Sequence, residues 1–343
     1  MNTVNSTKVI KQWELYFKDR GISSNLITRY LEYVRKLSDK NLPIIFEVEH
    51  LSALIGIDTD ALYKMIHSTT SFYREFRIPK RKGGERLISS PYPSLLLCQS
   101  WIYENILKKD NVHPCAHAYS PGRSILTNAK THVKSKAILK MDMENFFPSL
   151  SFNWVVKYFS TLGYPNNLSF SLASLCCLND ELPQGAATSP ALSNILLSSL
   201  DKRLYRLSKS YSLKYSRYAD DLAFSGEYIP HKYIKIVNNI VEDYGLKINN
   251  NKTALIIGGK QKIITGISVK GDEIEVPRKY KRELKKELYF IQKYGLLSHI
   301  SKRKIKNPNY IHSIEGKLRY VLQVEPTSEL AINGLKIIAE YKS

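Results

Sequence analysis

Residues 213–226 read LKYSRYADDLAFSG, in which two adjacent aspartates, Asp220 and Asp221, separate two short runs rich in aromatic and apolar residues. This pattern predicts two β-strands that meet at the acidic pair in a tight turn. Two adjacent carboxylates repel each other unless a cation lies between them, so the pair indicates a metal site. The alternative is an ordinary exposed turn, because Asp is a common turn residue.

A third acidic residue favours the metal site. Residues 137–147 read AILKMDMENFF, which is typical of a buried strand that ends at Asp142. Neighbouring strands of one sheet can place Asp142 beside Asp220, and three carboxylates can hold two Mg²⁺ ions about 3.5–4 Å apart for in-line phosphoryl transfer. Mg²⁺ fits because no cluster of His or Cys in the sequence offers ligands for a softer metal.

The rest of the chain predicts helices and antiparallel strands, and hence an α+β fold. Apolar residues recur at three-to-four spacing over 9–67, which indicates helices. Residues 72–93 (FYREFRIPKRKGGERLISSPYP) predict a strand, a basic turn with two glycines and a second strand. We expect a helix over 189–207, strands and turns over 263–276, and basic helices after that.

The chain of 343 residues is strongly basic, with 51 Lys and Arg against 31 Asp and Glu and a net charge of +20. Its 43% hydrophobic content excludes a disordered basic tail. A globular protein with this charge is expected to bind a polyanion, either nucleic acid or an anionic membrane. Residues 278–320 hold thirteen Lys or Arg and three Glu, interleaved with aromatic residues, which favours nucleic-acid contact over an ordinary solvated face.

Cysteine spacing and hydropathy indicate a cytoplasmic protein. The four cysteines, Cys98, Cys115, Cys176 and Cys177, show none of the CxxC spacing of zinc or dithiol redox sites. The sequence contains neither a leader pattern at its start nor a run of about 18 apolar residues, so we expect no membrane partner. Its length is about twice the ~150 residues of one domain, which predicts two or three subdomains.

Three segments, in order, resemble motifs A, B and C of reverse transcriptases: AILKMDMENFFPSL, LPQGAATSPALSN and SRYADDLAFSG. The basic hairpin IPKRKGGERLI resembles the fingers motif of the same family, and the likeness extends from about Phe72 to Tyr320. It implies a right-hand polymerase fold with fingers, a palm of antiparallel sheet and helices, and a helical thumb. The expected division is an N-terminal helical segment (1–70), fingers with palm entry (71–136), palm (137–276) and basic thumb (277–343).

The resemblance assigns catalytic roles residue by residue. It implies that Asp142, Asp220 and Asp221 are catalytic and bind two Mg²⁺ ions, with the backbone carbonyl of Met143 as a further ligand. The segment GLKINNNKT (245–253) resembles motif D, which makes Lys252 the candidate general acid for the pyrophosphate leaving group. An ordinary surface lysine is the alternative for Lys252. Arg217 is either close to a primer or template phosphate or a charge that flanks the strand.

The resemblance also implies a nucleotide-binding set on the hairpin and on motifs A and B. Phe147 falls where the family places the aromatic ring that excludes a ribonucleotide 2′-hydroxyl, although a core role, which we favour for Phe146, is the alternative. Gly185 is small enough for the backbone to approach the template and the nascent base pair. The expected nucleotide-binding residues are Lys80, Lys82, Arg86, Phe147, Gln184 and Gly185.

Two short elements are similar to those of bacterial retron reverse transcriptases. Residues 128–132 (NAKTH) match the NAxxH element of that family, and Ile264-Thr265-Gly266 stands where the family carries Val-Thr-Gly. The 23 residues after Tyr320 leave no room for an RNase H domain, which also favours a compact enzyme. The residues expected to bind RNA are Asn128, His132, Ile264, Thr265 and Gly266, together with Lys285, Lys286 and Lys293 of the thumb. A packed core histidine is the alternative for His132.

Retron membership implies a set of partners and a biological role. The partners are dNTPs, a cognate structured noncoding RNA and its RNA–DNA product, with priming from the 2′-hydroxyl of an internal guanosine. The family's role is antiphage defence together with a separate effector protein. The alternatives are another small bacterial reverse transcriptase, of the abortive-infection or diversity-generating type, and an RNA-binding scaffold that restrains an effector. The intact aspartate set argues against the scaffold, because a cluster of carboxylates is costly unless it binds metal.

Overall fold

The computed structural model describes residues 2–80, 83–259 and 261–341. The chain forms two compact units, each assembled from separate stretches. The first combines Met1–Pro114, Met143–Arg203 and Ile240–Lys247, and the second combines Cys115–Asp142, Leu204–Asn239 and Ile248–Ser343. The subdomains predicted from the sequence are continuous stretches of chain, whereas these two units each combine several stretches. The two divisions cannot be compared directly, so the division into fingers, palm and thumb stays a prediction.

The segments for which the sequence predicts helices or strands contain them, and further helices and strands lie in 93–136, 148–188 and 227–262, where none was predicted. In chain order, the helices are α1 Asn2–Asp19, α2 Ser24–Asp39, α3 Val48–Ile55, α4 Thr59–His67, α5 Pro93–Asn105, α6 Ile125–Thr131, α7 Phe152–Leu162, α8 Asn166–Cys176, α9 Ser189–Leu196, α10 Ser198–Ser210, α11 His231–Glu242, α12 Arg278–Tyr294, α13 Leu296–Arg303, α14 Tyr310–Val324 and α15 Glu329–Ala339. The strands are β1 Tyr73–Pro79, β2 Glu85–Pro91, β3 Ala137–Asp142, β4 Lys214–Tyr218, β5 Asp221–Gly226, β6 Ala254–Ile257, β7 Lys262–Ile264, β8 Ile267–Lys270 and β9 Glu273–Glu275. None of the helices in the described part is long and apolar enough to cross a bilayer.

In the first unit, helices α1 and α2 and the segment that leads into α3 pack around a cluster of aromatic rings. Phe17 is 4% exposed and lies edge-to-face with Phe46, with ring centroids 5.7 Å apart. Trp13 and Tyr30 also contact Phe46, at 5.1 and 5.7 Å. The three-to-four spacing of the apolar residues therefore produces one packed helical face, as predicted.

The basic hairpin of the first unit is formed by β1 and β2, which pair antiparallel with Ile78 opposite Arg86. Gly83 and Gly84 lie in the turn with φ of 92° and 78°. These positive φ values are accessible to glycine at little cost, which explains the Gly-Gly pair. The hairpin predicted from the sequence is confirmed.

The second unit contains a four-stranded antiparallel sheet with the order β4-β5-β3-β6. The central strand β3 is buried along almost its whole length; Ile138 and Leu139 have no exposed surface. A strand that is buried on both faces carries apolar residues at successive positions, as Ala137, Ile138 and Leu139 do here. The sheet therefore presents the acidic ends of β3 and β5 at one edge.

A three-stranded antiparallel sheet, β7-β8-β9, and helices α12 to α15 complete the second unit. Their shared core includes Leu288, Ile314 and Leu318. A Cβ atom on Gly334 of α15 would lie 2.6 Å from a methyl carbon of Leu318, so any larger residue there would force the leucine side chains to shift. The basic C-terminal segment is thus a folded helical body.

Candidate active site

Three aspartates lie at the same edge of the four-stranded sheet. Asp142 is the last residue of β3 and pairs in register with Asp221, the first residue of β5. Tyr218 of β4 also pairs with Asp221, so Ala219 and Asp220 form a two-residue hairpin loop. Ala219 has φ of 56°, a left-handed conformation that costs a non-glycine residue about 1–2 kcal/mol. The strained conformation of Ala219 belongs to the tight loop that places Asp220 beside the other two carboxylates.

The acidic cluster is compensated in part by Lys252. Asp142 is 8% exposed, and its Oδ1 accepts a hydrogen bond from Lys252 Nζ at 2.7 Å. This hydrogen bond raises the pKa of Lys252 above its ordinary value. Burial, followed by the charges of Asp220 and Asp142, raises the pKa of Asp221 to about 6. The charges of Lys140 and Lys252 oppose this rise in pKa but do not cancel it.

The donor set fits Mg²⁺. The three side chains offer only carboxylate oxygens, which hard cations prefer, and both burial and the neighbouring carboxylates disfavour the ionised form of Asp221. Across residues 2–80, 83–259 and 261–341, no three His, Cys, Asp or Glu side chains form a preassembled metal centre. Asp142, Asp220 and Asp221 are the residues that could hold the metal. Met143 is buried in the first unit, and its role as a ligand stays a prediction.

The hairpin residues expected to grip the nucleotide are exposed. Alternation along β1 and β2 places Arg74 and Arg86 on one face and both glutamates, Glu75 and Glu85, on the other. Glu85 pairs with Arg77 at 3.2 Å on that second face. The face of Arg86 therefore has no acidic residue within the two strands. Lys80, next to the turn, is also exposed, whereas Lys82 lies outside the described residues.

The motif B loop packs on strand β2 of the first unit. Gln184 O accepts a hydrogen bond from Ser89 N at 2.8 Å. Gly185 has φ of 129°, and a Cβ atom there would lie 2.5 Å from Ser89 O. Contact with the hairpin is thus sufficient to require glycine at position 185, whether or not a nucleic acid also approaches this loop.

The two phenylalanines that follow motif A differ in burial. Phe146 is 5% exposed and belongs to the core of the first unit, in line with the role favoured for it. Phe147 is only half-buried and lies edge-to-face with Phe146, with ring centroids 5.2 Å apart. Its ring thus remains partly open to a ligand, and its contact with the sugar stays a prediction.

The residues expected to recognise RNA through NAxxH and the Ile-Thr-Gly element are mostly interior. Asn128 is 1% exposed, His132 has no exposed surface, and Ile264 is 2% exposed. These side chains are therefore not available for the direct RNA contact expected from the sequence. Thr265 is half-buried and Gly266 is exposed, in the loop between β7 and β8.

The lysines expected in the thumb are accessible. Helix α12 buries Leu284, Leu288 and Ile291 and exposes Lys285, Lys286 and Lys293 on its other faces. The ammonium of Lys286 lies over the ring of Phe290 at 5.9 Å, and that of Lys293 lies over Tyr289 at 5.4 Å. Cations held beside aromatic rings form a surface suited to phosphates and bases.

Arg217 has a role that the sequence did not indicate. It has no exposed surface, so it neither contacts a phosphate nor flanks the strand as a solvated charge. Its Nη1 donates a hydrogen bond to the carbonyl oxygen of Ala219 at 3.2 Å, in the loop that carries Asp220. Lys214 at the start of this strand is exposed and Tyr218 at its end is partly buried, so the strand offered no sequence signal that Arg217 would be buried.

A family model and individual proteins that resemble this chain in sequence are all reverse transcriptases. The family model "Reverse transcriptase (RNA-dependent DNA polymerase)" matches residues 78–294. Retron Ec86 reverse transcriptase of Escherichia coli is 33% identical over 262 residues, which cover 75% of this chain and 81% of that protein. Retron Mx65 reverse transcriptase of Myxococcus xanthus is 33% identical over 258 residues, covering 68% of this chain and 60% of that protein. Retron Ec83 reverse transcriptase of Escherichia coli is 31% identical over 288 residues, covering 78% and 88%.

Proposed function

The chain belongs to the bacterial retron reverse transcriptases and is an RNA-directed DNA polymerase with the right-hand polymerase fold, and from this premise we propose what it copies and how it starts. Its template is a structured noncoding RNA encoded beside its own gene. Synthesis begins from the 2′-hydroxyl of a guanosine within that RNA and yields a branched RNA-linked DNA. Together with an effector protein, this product serves in antiphage defence.

The observation that carries the proposal is the register of Asp142 with Asp221, next to Asp220. The transition state of nucleotidyl transfer concentrates negative charge on phosphate oxygens, so the reaction needs bound cations. Three carboxylates at one edge of the sheet are an arrangement that can hold such cations. Bound Mg²⁺ ions, held by these aspartates, would neutralise that charge and activate the attacking hydroxyl. The raised pKa of Asp221 supports a site whose charge balance is completed by cations.

Residues of this chain also support selection and binding of the nucleotide. The exposed Arg86 presents a guanidinium, and Lys80 an ammonium, on a hairpin where they can bind a triphosphate. The half-buried ring of Phe147 is the group we expect to exclude a ribose 2′-hydroxyl. Lys252 already forms a hydrogen bond with Asp142, and in this position it can supply a proton to the leaving pyrophosphate.

The basic helix α12 supports binding of the RNA–DNA duplex. A-form duplexes are recognised mainly by shape and by phosphate contacts, which exposed lysines can supply. Lys285, Lys286 and Lys293 are exposed on this helix, and two of them lie over aromatic rings. We assign them to the backbone of the duplex.

The test is to express the chain with the DNA that flanks its gene and to analyse the nucleic acid that forms. The expected product is a short DNA whose mobility shifts after debranching and after RNase treatment. Asp220→Asn should abolish it, whereas Asp272→Asn, an exposed aspartate of the β8–β9 turn, should not. Extension of a generic primed template without any branched DNA would refute the proposed priming while leaving the polymerase intact.

The proposed role in defence has its own test. Cells that carry the chain, its RNA and the neighbouring genes are challenged with phage, and plaque formation is counted. Protection should disappear with Asp220→Asn and persist with Asp272→Asn. Equal protection by Asp220→Asn would show that defence does not require DNA synthesis and would favour a scaffold.

A further inference from the structure

A continuous set of buried polar side chains lies next to the catalytic hairpin in the second unit. His132 of the NAxxH element contacts Ser225 Oγ through Nδ1 at 2.8 Å and Ser216 Oγ through Nε2 at 2.7 Å. Ser216 also contacts Asn128 Oδ1 at 2.6 Å. His132, Ser216 and Ser225 have no exposed surface, so these contacts are made without water. Buried polar groups of this kind must be satisfied by each other.

The set continues at both ends. Ser135 Oγ donates to Ser225 Oγ at 3.0 Å. At the other end, Asn128 Nδ2 donates to Thr265 Oγ1 at 3.4 Å, and Thr265 Oγ1 donates to the carbonyl oxygen of Ile125 at 3.3 Å. The two elements that resemble retron motifs, NAxxH and Ile-Thr-Gly, are therefore joined by a direct hydrogen bond.

Each hydroxyl has one hydrogen, so the donation by Ser216 to Asn128 and by Ser135 to Ser225 determines the roles of the two His132 nitrogens. Ser216 donates to Asn128, so it must accept from His132 Nε2. Ser225 accepts from Ser135, and its own hydrogen is free for His132 Nδ1. This assigns the neutral Nε2–H tautomer to His132. Burial lowers the pKa of His132 to about 3, which agrees with a neutral ring.

The chain of hydrogen bonds holds both strands of the catalytic hairpin. Ser216 belongs to β4 and precedes Tyr218 by two residues, and Ser225 belongs to β5. His132, at the C-terminal end of α6, is the group that joins the two strands from outside the sheet. Because β4 and β5 flank the loop with Asp220, a shift of either strand would move the carboxylates.

The backbone at Thr265 gives an independent observation. Thr265 and Gly266 are the two loop residues of the β7–β8 hairpin, with φ of 44° and 82°. Such turns favour Asn or Gly at both positions, and a β-branched residue with positive φ is an outlier. Threonine is therefore a poor choice for the turn itself. Glycine would suit the turn better but lacks the Thr265 hydroxyl, which forms hydrogen bonds with Asn128 and Ile125.

We propose that Asn128, His132 and Thr265 are positioning residues for DNA synthesis, which fix the catalytic hairpin against α6 and the β7–β8 loop rather than contact RNA. The inference rests on the polymerase activity of the chain and not on the proposed priming or partner RNA. It is therefore tested on a generic primed template, where a failure of the priming proposal has no effect.

The test removes the Thr265 hydroxyl in two ways. Thr265→Val keeps the shape of the side chain, and Thr265→Gly suits the turn and so guards against misfolding. Both should lower kcat of primer extension by about three- to tenfold, with KM for dNTP changed less than about twofold. Thr265→Ser, which retains the hydroxyl, should restore wild-type kcat. Thr327→Val, at an exposed threonine, is the matched control.

Two further measurements decide between positioning and RNA contact. The ¹⁵N spectrum of the imidazole should show His132 as the neutral Nε2–H tautomer, and a ring protonated at Nδ1 would overturn the assigned direction. The Kd for RNA should be unchanged in Thr265→Gly. A weaker Kd with unchanged kcat on the generic template would instead make the element an RNA contact and overturn the proposal.

Discussion

The ammonium of Lys252 lies 2.7 Å from Oδ1 of Asp142, the last residue of strand β3 in the four-stranded sheet. One oxygen of a carboxylate expected to bind metal is thus already engaged by a cation of the protein. The side chain of Lys252 is 55% exposed, so the pair is only partly shielded from solvent and can open at modest cost. In the proposed mechanism, Lys252 would therefore compete with metal for Asp142 before it acts on the leaving group.

We predict that Lys252→Met strengthens metal binding while it slows synthesis. Loss of the competing ammonium should lower the Kd for Mn²⁺, measured by electron paramagnetic resonance, by about two- to fivefold. The kcat of primer extension should fall at the same time, by about tenfold or more, because a proton donor is lost. Lys270→Met, at an exposed lysine paired with Glu275, should change neither value. Weaker Mn²⁺ binding by Lys252→Met would contradict the competition.

Repulsion within the aspartate cluster predicts a gain of stability when one charge is removed. Burial and the two neighbouring aspartates raise the pKa of Asp221, so its ionised form is disfavoured in the fold. In the presence of EDTA, Asp221→Asn should raise the free energy of unfolding by about 1 kcal/mol and abolish DNA synthesis. Urea unfolding measures the first and primer extension the second. An equal gain for Asp272→Asn would show that the effect is not specific to the cluster.

The buried imidazole of His132 predicts a loss of stability in mild acid. Burial lowers its pKa in the folded protein to about 3, whereas the unfolded chain takes up the proton near the ordinary value of 6.5. The unfolded state therefore binds more protons below pH 6.5, and stability falls as the pH falls. Between pH 6.5 and 5.5 His132 should account for about 1 kcal/mol.

The difference between variants isolates this contribution from that of other groups. His132→Gln cannot titrate, so its stability should decline less than that of the wild type over the same interval. His312→Gln, at a histidine whose side chain is 64% exposed, should decline as the wild type does. Parallel curves for His132→Gln and the wild type would mean that His132 takes up its proton equally readily in the folded and unfolded states.

The strands and the acidic edge could be predicted because their signals are local. The apolar run before Asp142 and the two apolar and aromatic runs beside Asp220 are each short and local, and the structure confirms strand β3 and the β4–β5 hairpin. The partners of His132 could not be predicted in this way, since Ser216 and Ser225 lie 84 and 93 residues away along the chain. The burial of Arg217 depends in the same way on packing that a single sequence does not display.

The contact of Gly185 with Ser89 predicts a strong effect of a single methyl group. A Cβ atom at position 185 would lie 2.5 Å from a backbone oxygen, and φ of 129° is unfavourable for any other residue. Gly185→Ala should destabilise the protein by about 2–3 kcal/mol, measured by urea unfolding. Gly316→Ala, within helix α14 and with open space around it, should stabilise by about 0.5–1 kcal/mol. Similar values for the two variants would disprove the clash.

The lysines that lie over aromatic rings on α12 predict the salt dependence of duplex binding. If Lys286 and Lys293 each neutralise a phosphate, replacing both by glutamine removes two counterion releases. The slope of log affinity against log salt for an RNA–DNA duplex should then decrease by about 2. Lys202 and Lys209 of α10 are also exposed, and Lys209 likewise lies over a tyrosine ring, so their double replacement is a matched control that should leave the slope unchanged. Equal decreases for both pairs would indicate general electrostatic attraction, and no decrease for the α12 pair would remove this helix from the duplex interface.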